Sequence, residues 1–251
     1  MLIASAVFLV ALLGHARATT VTSAGQYLLD GVHKYTGPQA GQYRRVTTMA
    51  SAMHMTHERG GKIWVETGTS RDGPRNCLGD GCSTLLFSYV RQQLHDPAIR
   101  LYSVDIDAEY CKTARQAISE YGDAAAEVVA MDSVEFLTNF TQITGHDRID
   151  FLYLDSYDYK HHNWMPSQEH HLREIQAAMD KLHDNSVVLI DDCFLPFNGK
   201  CRLAGAFLER SGWTGFVSDY ILQSMYQEIY VKKAPVIDSA AAPDSHDNTD
   251  L

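Results

Sequence analysis

Acidic and polar residues follow three short apolar runs, and their side chains suit the binding of a nucleoside. Glu66 and Gly68 follow the run KIWV, Asp105 ends the run RLYSVD, and the pair Asp132-Ser133 follows EVVAM. An acid in such a place can accept hydrogen bonds from both hydroxyls of a ribose, and a polar pair can bind an adenine edge. One such residue alone is more often a helix cap, but three successive occurrences favour a ligand site.

The segment after the run KIWV, ETGTSRDGPRNCLGDGCS, is rich in glycine. Glycine lets the backbone turn sharply and approach a ligand closely, because it has no Cβ atom. We predict that Gly68, Thr69, Gly81 and Ser83 border a ligand, whose anionic group the first amides of the next helix can receive. A triphosphate-binding loop needs a lysine where this chain has Cys82, and the dinucleotide pattern G-x-G-x-x-G is not matched either.

A second group of carboxylates follows two later runs, IDFLYL and SVVLI. Asp155 comes after the first run, and Asp191 and Asp192 come after the second. Three carboxylates so close repel one another unless a cation lies between them or one is protonated. Hard oxygen ligands suit Mg²⁺ or Ca²⁺, and such an ion can bind substrate oxygens and lower the pKa of a hydroxyl. The alternative is that Asp155 and Asp191 only cap turns or contact a cofactor.

Alternating strands and helices must position these residues. The patterns predict strands over 62–66, 100–105, 126–131, 149–155, 186–191, 213–221 and 225–231, and helices over 83–95, 108–121, 133–143, 167–182 and 200–211. The last two strands are neighbours in the chain and are expected to pair antiparallel. The sequence therefore predicts an α/β, Rossmann-like, doubly wound sheet of seven strands, mostly parallel, with an antiparallel C-terminal strand. Ligands bind such a sheet beyond the carboxyl ends of its strands.

The two ends of the chain differ from this alternating part. Residues 1–18 resemble a signal peptide, with an apolar run followed by Ala16-Arg17-Ala18, although no Lys or Arg precedes the run. A helical extension is predicted over 19–60, the main domain over 61–233, and a disordered acidic tail over 234–251. If the signal is functional the protein enters the secretory pathway or is secreted, and otherwise it is cytoplasmic. An apolar helix packed on the domain is the alternative for the leader.

Composition limits the partners. The chain has 251 residues, 45% of them apolar, and a formal net charge of −10. That charge argues against nucleic-acid binding, which needs a basic stripe. We expect a small-molecule or glycan partner, and no stable membrane span, because the leader's apolar run is too short. The oligomeric state is left open.

The five cysteines leave their pairing open. In a secreted chain Cys193 could pair with Cys201, or Cys77 with Cys82, with at least one cysteine left over. No two cysteines have the spacing Cys-x-x-Cys, which argues against zinc.

Glu66-x-Gly68, Asp105 and Asp132-Ser133 together resemble the nucleoside-binding motifs of class I S-adenosylmethionine-dependent methyltransferases. The resemblance implies that the glycine turn faces the methionine part of the cofactor, that Asp105 faces the ribose, and that Asp132 and Ser133 face the adenine. The cofactor that the resemblance implies is S-adenosylmethionine. The resemblance covers nearly the whole main domain.

The chain departs from this family at the insertion 70–80, which separates the two halves of the glycine motif. The insertion can fold over the cofactor or the substrate as a lid. It also leaves open whether Gly79 or Gly81 approaches the cofactor.

The later acids are similar to the metal site of catechol-type and macrocin-type O-methyltransferases. By that resemblance Asp155, Asp191 and Asp192 bind a divalent cation, Mg²⁺ above all. In those enzymes a Lys or His three residues beyond the first ligand can act as the base, and here that position is Asp158.

The base is therefore open among Asp158, His161 and His162, with Asp155, Asp158 and His161 as the predicted catalytic residues. The predicted function is cation-assisted transfer of a methyl group to a hydroxyl of a sugar or small metabolite. The alternatives are a nicotinamide-dependent oxidoreductase on a similar sheet, and a cofactor-binding module without catalysis.

Overall fold

The computed structural model describes residues 23–43, 45–79, 81–121, 126–216 and 227–232, and in this part of the chain seven strands form one sheet. The strands are β1 (Ile63–Thr67), β2 (Arg100–Asp105), β3 (Glu127–Ala130), β4 (Ile149–Leu154), β5 (Leu182–Ile190), β6 (Trp213–Phe216) and β7 (Glu228–Lys232). The helices are α1 (Ala24–Thr36), α2 (Val46–Glu58), α3 (Ser83–Leu94), α4 (Ala108–Tyr121), α5 (Ser133–Thr138), α6 (Phe140–Thr144), α7 (Met165–Ala178) and α8 (Cys201–Arg210).

The strand order is β3-β2-β1-β4-β5-β7-β6, with β1 to β5 parallel and β7 antiparallel to both of its neighbours. The predicted doubly wound, mostly parallel sheet with an antiparallel C-terminal strand is confirmed. The order reverses between β1 and β4, which is the place where such a sheet opens a crevice for a ligand.

The register of the strands brings the predicted site residues to one edge of the sheet. Thr67 lies opposite Val104 of β2 and Leu154 of β4, and Leu154 lies opposite Ile190 of β5. The next residue of each strand is therefore the first beyond the same edge. Those residues are Gly68, Asp105, Asp155 and Asp191.

Side chains alternate between two hydrophobic cores, one on each face of the sheet. Trp64 and Phe151 point to the core formed with α1 to α4, whereas Val65 and Leu152 point to the core formed with α5 to α8. All four are fully buried. This alternation explains why the central strands read as continuous apolar runs, since both faces are covered.

The helical extension shares the first of these cores. Leu28 of α1 and Met49 and Met53 of α2 are fully buried in the same cluster as Trp64. Gly25 lets the two helices approach, because a Cβ atom there would lie 2.7 Å from the carbonyl oxygen of Ala50. The extension is therefore built into the domain through its hydrophobic side chains.

Several predicted elements differ from the observed ones, and the helix predicted over 167–182 spans Met165–Ala178. The helix predicted over 133–143 is divided into α5 and α6 at Asn139, whose side-chain amide donates to the carbonyl of Glu135 at 3.0 Å. Such a side chain competes with the helical hydrogen bonds. The strand predicted from residue 186 begins at Leu182, because Ser186 donates its hydroxyl to the carbonyl of Ile149 and carries a bulge in the pairing with β4.

Both cysteine pairings considered above are present as disulfides, and Cys111 is a buried free thiol. The predicted leader over 1–18, the acidic tail over 234–251 and residues 217–221 of the sixth predicted strand lie outside the described residues. In the described part of the chain, no helix has the length and apolar character that a membrane span requires.

Candidate active site

Two adjoining cavities lie beyond the carboxyl ends of β1, β2 and β4. The first has a volume of about 320 Å³ and the second about 250 Å³. They share four lining residues, namely Asp105, Ile106, Ser156 and Tyr157. The two cavities therefore form one groove, called the rim groove below.

The structure brings most of the predicted cofactor residues into the rim groove. The first cavity is lined by Gly68, Thr69, Gly81, Ser83 and Asp105, and the second by Asp105, Asp132 and Ser133. Glu66 differs, since its side chain is fully buried and lines neither cavity.

Gly68 permits the close approach of β1 and β4 at this edge. Its φ of +85° lies in the left-handed region, and a Cβ atom would lie 2.5 Å from the carbonyl oxygen of Asp155. The turn that follows directs the amide of Thr69 to Asp105 Oδ2 at 3.1 Å. The glycine motif thus fixes two of the groove's acidic residues relative to each other.

Glu66 organises the floor beneath the groove. Its Oε2 accepts hydrogen bonds from the hydroxyls of Thr84 at 2.6 Å and Ser103 at 2.7 Å. Burial raises the pKa of Glu66 to about 7, while the hydroxyl hydrogen bonds oppose that rise. A direct role for Glu66 in binding the cofactor stays a prediction.

Asp105 lies at the junction of the two cavities. Its Oδ1 accepts from the amide of Asp107 at 2.9 Å, which together with the bond from Thr69 fixes the carboxylate. Burial raises the pKa of Asp105 above its usual value. The remaining acceptor sites of the carboxylate border the groove and can bind hydroxyl groups.

The second cavity is supported by a hydrogen-bonded network from α7. Ser133 Oγ lies 3.0 Å from His170 Nε2, and Ser156 donates its hydroxyl to Glu174 Oε1 at 2.7 Å. Burial alone would raise the pKa of Glu174, but the hydrogen bond from His170 and the nearby histidines lower it to about 2. His170 lines the cavity, whereas its neighbour His171 is fully buried, in agreement with the 100° between successive helical residues.

The three later acids meet two cationic side chains. Lys200 Nζ lies 2.5 Å from Asp155 Oδ1 and 3.3 Å from Asp192 Oδ2. Arg45 Nε lies 2.6 Å from Asp191 Oδ2, and Arg45 Nη2 lies 3.7 Å from Asp192 Oδ1. We call Asp155, Asp191 and Asp192 the carboxylate cluster.

The surroundings shift the pKa values of Asp155 and Asp191 in opposite directions. Burial raises the pKa of Asp155 well above its usual range, with Lys200 opposing and Asp191 reinforcing this effect. Burial alone would also raise the pKa of Asp191, but Arg45 and Lys200 outweigh burial and lower it. Tyr153 donates its hydroxyl to Asp191 Oδ2 at 2.6 Å, which further favours the charged carboxylate.

This arrangement does not fit the divalent cation predicted for Asp155, Asp191 and Asp192. Within the described residues, the group of possible ligands close enough to hold an ion is Cys193, Cys201 and Glu228, whose ligand atoms lie within 4.8 Å of one another, and its two cysteines form a disulfide. The three acids are not such a group. The ammonium of Lys200 lies between two of the three carboxylates, where a bridging ion would have to bind. Asp155 lines the rim groove, whereas Asp191 and Asp192 do not.

The predicted bases differ in their position. Asp158 lines the first cavity and is paired with Arg71, whose Nη1 lies 3.0 Å from Asp158 Oδ2. His161 is exposed and contacts the edge of Tyr159 at a ring distance of 5.5 Å. Neither His161 nor His162 lines either cavity. Asp155 and Asp158 are therefore the predicted catalytic residues that reach the groove.

The insertion 70–80 is fastened to the body of the domain. The disulfide between Cys77 and Cys82 closes it, and buried Gly73 packs against Ala117 of α4. Ser70 and Arg71 at its start line the first cavity, so this end forms a wall of the groove. The structure describes the insertion except residue 80, and closure as a lid stays a prediction.

Sequence reasoning missed Lys200, Arg45 and the pair His170–Glu174 as parts of the site. Arg45 precedes α2, far in the chain from the later acids, whereas Lys200 precedes α8 and lies in the same loop as Asp192. Motif spacing holds no signal for them. The one hint is that a charged residue, Lys200, stands beside Cys201 in the short segment between two cysteines.

Comparison with known proteins points to one family. Residues 78–193 match the family model of a methyltransferase domain. No curated protein sequence matches the chain significantly. The match and the fold together support an S-adenosylmethionine-dependent methyltransferase, and the chain resembles class I of these enzymes.

Several solved methyltransferase structures share the fold at low identity. The apo TDP-rhamnose 3'-O-methyltransferase of calicheamicin biosynthesis has a TM-score of 0.58 and 13% identity, with 90% of this chain and 91% of that chain covered. The O-methyltransferase TomG from Streptomyces achromogenes, in complex with S-adenosylmethionine, has a TM-score of 0.52 and 14% identity, with 90% and 96% covered. An O-methyltransferase from Bacillus cereus has a TM-score of 0.51 and 11% identity, with 88% and 96% covered.

Proposed function

We propose that this chain, which resembles the class I S-adenosylmethionine-dependent methyltransferases, transfers a methyl group to a hydroxyl oxygen of a sugar or another small molecule. The observation that carries the proposal is the rim groove, in which the predicted nucleoside residues and Asp155 meet along one edge of the sheet. One end of the groove suits a nucleoside, and the other holds a carboxylate able to take up a proton.

The residues of the groove fit S-adenosylmethionine. Asp105 would bind the ribose hydroxyls, and Asp132 and Ser133 would border the adenine. The backbone at Gly81 has a φ of +86°, and the nearest atom to a Cβ placed there is Tyr43 Oη at 4.0 Å, so a larger side chain would fill open space in the groove. The cofactor supplies a methyl group on a positively charged sulfur, which acidic walls favour over an anionic ligand.

Asp155 is the base in this proposal. Its Oδ1 is held by Lys200, and its carboxylate borders the first cavity. Burial raises the pKa of Asp155, which makes its carboxylate a stronger base, while Lys200 opposes this rise and favours the charged form. The acceptor hydroxyl would give its proton to Asp155 as its oxygen bonds to the methyl carbon. The carbon–sulfur bond of the cofactor would break at the same time, which leaves S-adenosylhomocysteine. Asp158 would instead keep Arg71 in the wall of the groove.

A pair of stacked aromatic side chains outside the two cavities, joined through Tyr159 to the segment that carries Asp158, supports an acceptor with a flat or sugar-like face. Trp164 stacks on Phe197 at a ring distance of 4.9 Å, and Phe197 is 58% exposed. The hydroxyl of Tyr159 donates to the carbonyl of Pro196 and so ties this stack to the end of β4. Exposed aromatic faces bind sugar rings and planar rings well.

Calorimetric titration with S-adenosylhomocysteine tests the proposal. The wild type is expected to bind it, and Asp105→Asn to weaken binding by roughly ten-fold or more, the loss of one or two charge-assisted hydrogen bonds. Asp184→Asn is the control, because Asp184 is exposed and pairs with Lys232 near the opposite edge of the sheet. Binding of NADH in place of S-adenosylhomocysteine would overturn the proposal in favour of an oxidoreductase.

We further propose that the protein works in the secretory pathway or outside the cell. Two disulfides among five cysteines favour an oxidising compartment, and the predicted leader agrees with it. Mass spectrometry of the protein from its native source should find an N-terminus at Thr19. A chain that retains Met1 inside reduced cytosol would contradict this.

A further inference from the structure

The carboxylate cluster carries its own cations. Lys200 bridges Asp155 and Asp192 with Nζ–O distances of 2.5 and 3.3 Å, and Arg45 holds Asp191 at 2.6 Å. The side chain of Lys200 is only 1% exposed, so this is an internal ion pair and not a chance contact at the surface.

We propose that Lys200 and Arg45 take the place of a divalent ion in this cluster, so that methyl transfer by this chain needs no metal. The inference rests on the proposed function, because it concerns how the same groove handles the acceptor's proton.

Lys200 and Arg45 compensate the charge of the cluster to the same extent as a divalent ion would. Three carboxylates carry a formal charge of −3, and the two cationic side chains supply the same +2 that a magnesium or calcium ion would supply. Binding an ion as well would require Lys200 to leave its partners and carry its charge through the protein interior. Such an uncompensated buried charge is strongly unfavourable.

The backbone around Lys200 is built to hold it there. Its amide donates to the carbonyl of Asp192 at 3.2 Å, and the disulfide between Cys193 and Cys201 closes the loop beside it. Asp192 has a φ of +51°, a left-handed conformation that is unfavourable for a residue with a side chain. Gly199 is needed next to Lys200, because a Cβ atom there would overlap the carbonyl oxygen of Asp192.

Lys200 acts as a positioning residue. It does not line the rim groove, whereas its partner Asp155 does. By binding Oδ1 of Asp155, the ammonium fixes the carboxylate. Oδ2 lies 3.3 Å from the hydroxyl of Tyr153, which donates its proton to Asp191, so Oδ2 remains for a proton. A divalent ion bound by both carboxylate oxygens would leave no oxygen free for this.

Manganese titration followed by electron paramagnetic resonance tests the inference with the metal alone. The wild type and Asp192→Asn are expected to bind Mn²⁺ equally weakly, because the wild type holds no ion at the cluster. Lys200→Met, which keeps the length of the side chain and removes its charge, is expected to bind Mn²⁺ roughly ten-fold or more tightly than the wild type, because two carboxylates lose their cation. Lys181→Met is the matched control, since Lys181 is also buried and paired with an aspartate, Asp180.

The outcomes separate the inference from the proposed function. Mn²⁺ bound by the wild type and lost in Asp192→Asn would overturn the inference, as would a Lys200→Met protein that folds but gains no affinity. If Lys200→Met does not fold by circular dichroism, the wild-type titration decides alone. Binding of S-adenosylhomocysteine, measured on the same samples, tests the proposed function separately, and methyl transfer unchanged in EDTA supports the inference further.

Discussion

Asp155 and Asp191 follow neighbouring strands, and their surroundings shift the pKa values of the two carboxyls in opposite directions, in agreement with different tasks in the proposed reaction. Asp191 is fully buried and held by Arg45 and Tyr153, which keep it charged. Asp155 borders the rim groove, and burial raises its pKa. Two acids whose pKa values are driven apart commonly divide structural and proton-transfer work in this way.

Replacing Asp155 by Asn should separate catalysis from cofactor binding. The amide cannot accept the acceptor's proton, so methyl transfer is expected to fall by about 10²–10⁴-fold. Affinity for S-adenosylhomocysteine should stay within about three-fold of the wild type, since Asp105 and Ser133 remain. Rates with the acceptor found for the wild type check this, and a rate close to wild type would rule out Asp155 as the base.

The pKa of Glu66 predicts a pH-dependent stability. Its folded-state pKa of about 7 exceeds the ordinary value of 4.5, so between these values the folded chain keeps a proton that the unfolded chain has lost. The free energy of unfolding should therefore fall as pH rises from about 4.5 to about 7, by on the order of 3 kcal/mol. Glu66→Gln should remove this fall and gain stability relative to the wild type at pH 8. Melting temperatures of both proteins across this range measure it; parallel curves would show that the pKa of Glu66 is not raised.

The acids of the site could be predicted from the sequence, but their cationic partners could not. Asp105 and Asp155 stand directly after apolar runs, and the end of a strand is a place that a pattern identifies. Arg45 reaches the cluster through tertiary packing of a distant segment, and Lys200 reaches it through the fold of the loop between β5 and α8. A local pattern has no means of showing such an approach, so three carboxylates without visible partners predict a metal ion.

At the scale of elements, the loop between β5 and α8 holds the cluster together. It contains Asp192, Phe197 and Asn198 with positive φ, and the disulfide between Cys193 and Cys201 joins its ends. Strained backbone persists only where the surrounding structure enforces it. This loop therefore depends on its covalent closure to keep Lys200 in place.

Removing each disulfide should distinguish the two loops. The double variants Cys193→Ser/Cys201→Ser and Cys77→Ser/Cys82→Ser each open a short loop and should each lose about 2–3 kcal/mol in urea unfolding. Only the first should also gain affinity for Mn²⁺, because it loosens Lys200. Equal Mn²⁺ affinity in both would show that the loop holds Lys200 without its disulfide.

The strands and most helices followed from the sequence because apolar periodicity decides them. β2 and α4 have the predicted bounds, 100–105 and 108–121. The division at Asn139 and the early start of β5 escaped prediction, since each depends on one side-chain hydrogen bond to a carbonyl that a pattern of polarity does not contain.

At the scale of the whole molecule, the first two helices are joined to the site as well as to the core. Met49 and Met53 of α2 pack in the hydrophobic core on one face of the sheet. Arg45, which precedes α2, forms an ion pair with Asp191. The domain boundary predicted at residue 60 therefore runs between parts that support one another.

Arg45→Met measures that support. It would leave Asp191, which is fully buried, without its guanidinium partner, and should lower the free energy of unfolding by about 3–5 kcal/mol. Adding Asp191→Asn should recover part of this loss, because the unpaired charge is removed. Urea unfolding of the two single variants and the double variant gives the coupling energy. A loss below about 1 kcal/mol in Arg45→Met would mean that the pair is solvated in solution.

The ion pair between Arg45 and Asp191 also makes the proposed reaction depend on the packing of α1 and α2 against the sheet. In a molecule whose sheet has formed while α1 and α2 are detached, Asp191 would lack its guanidinium partner beside the proposed base Asp155. Such a molecule is expected to be inactive. A proteolytic nick between α1 and α2 that left turnover intact would argue against this dependence.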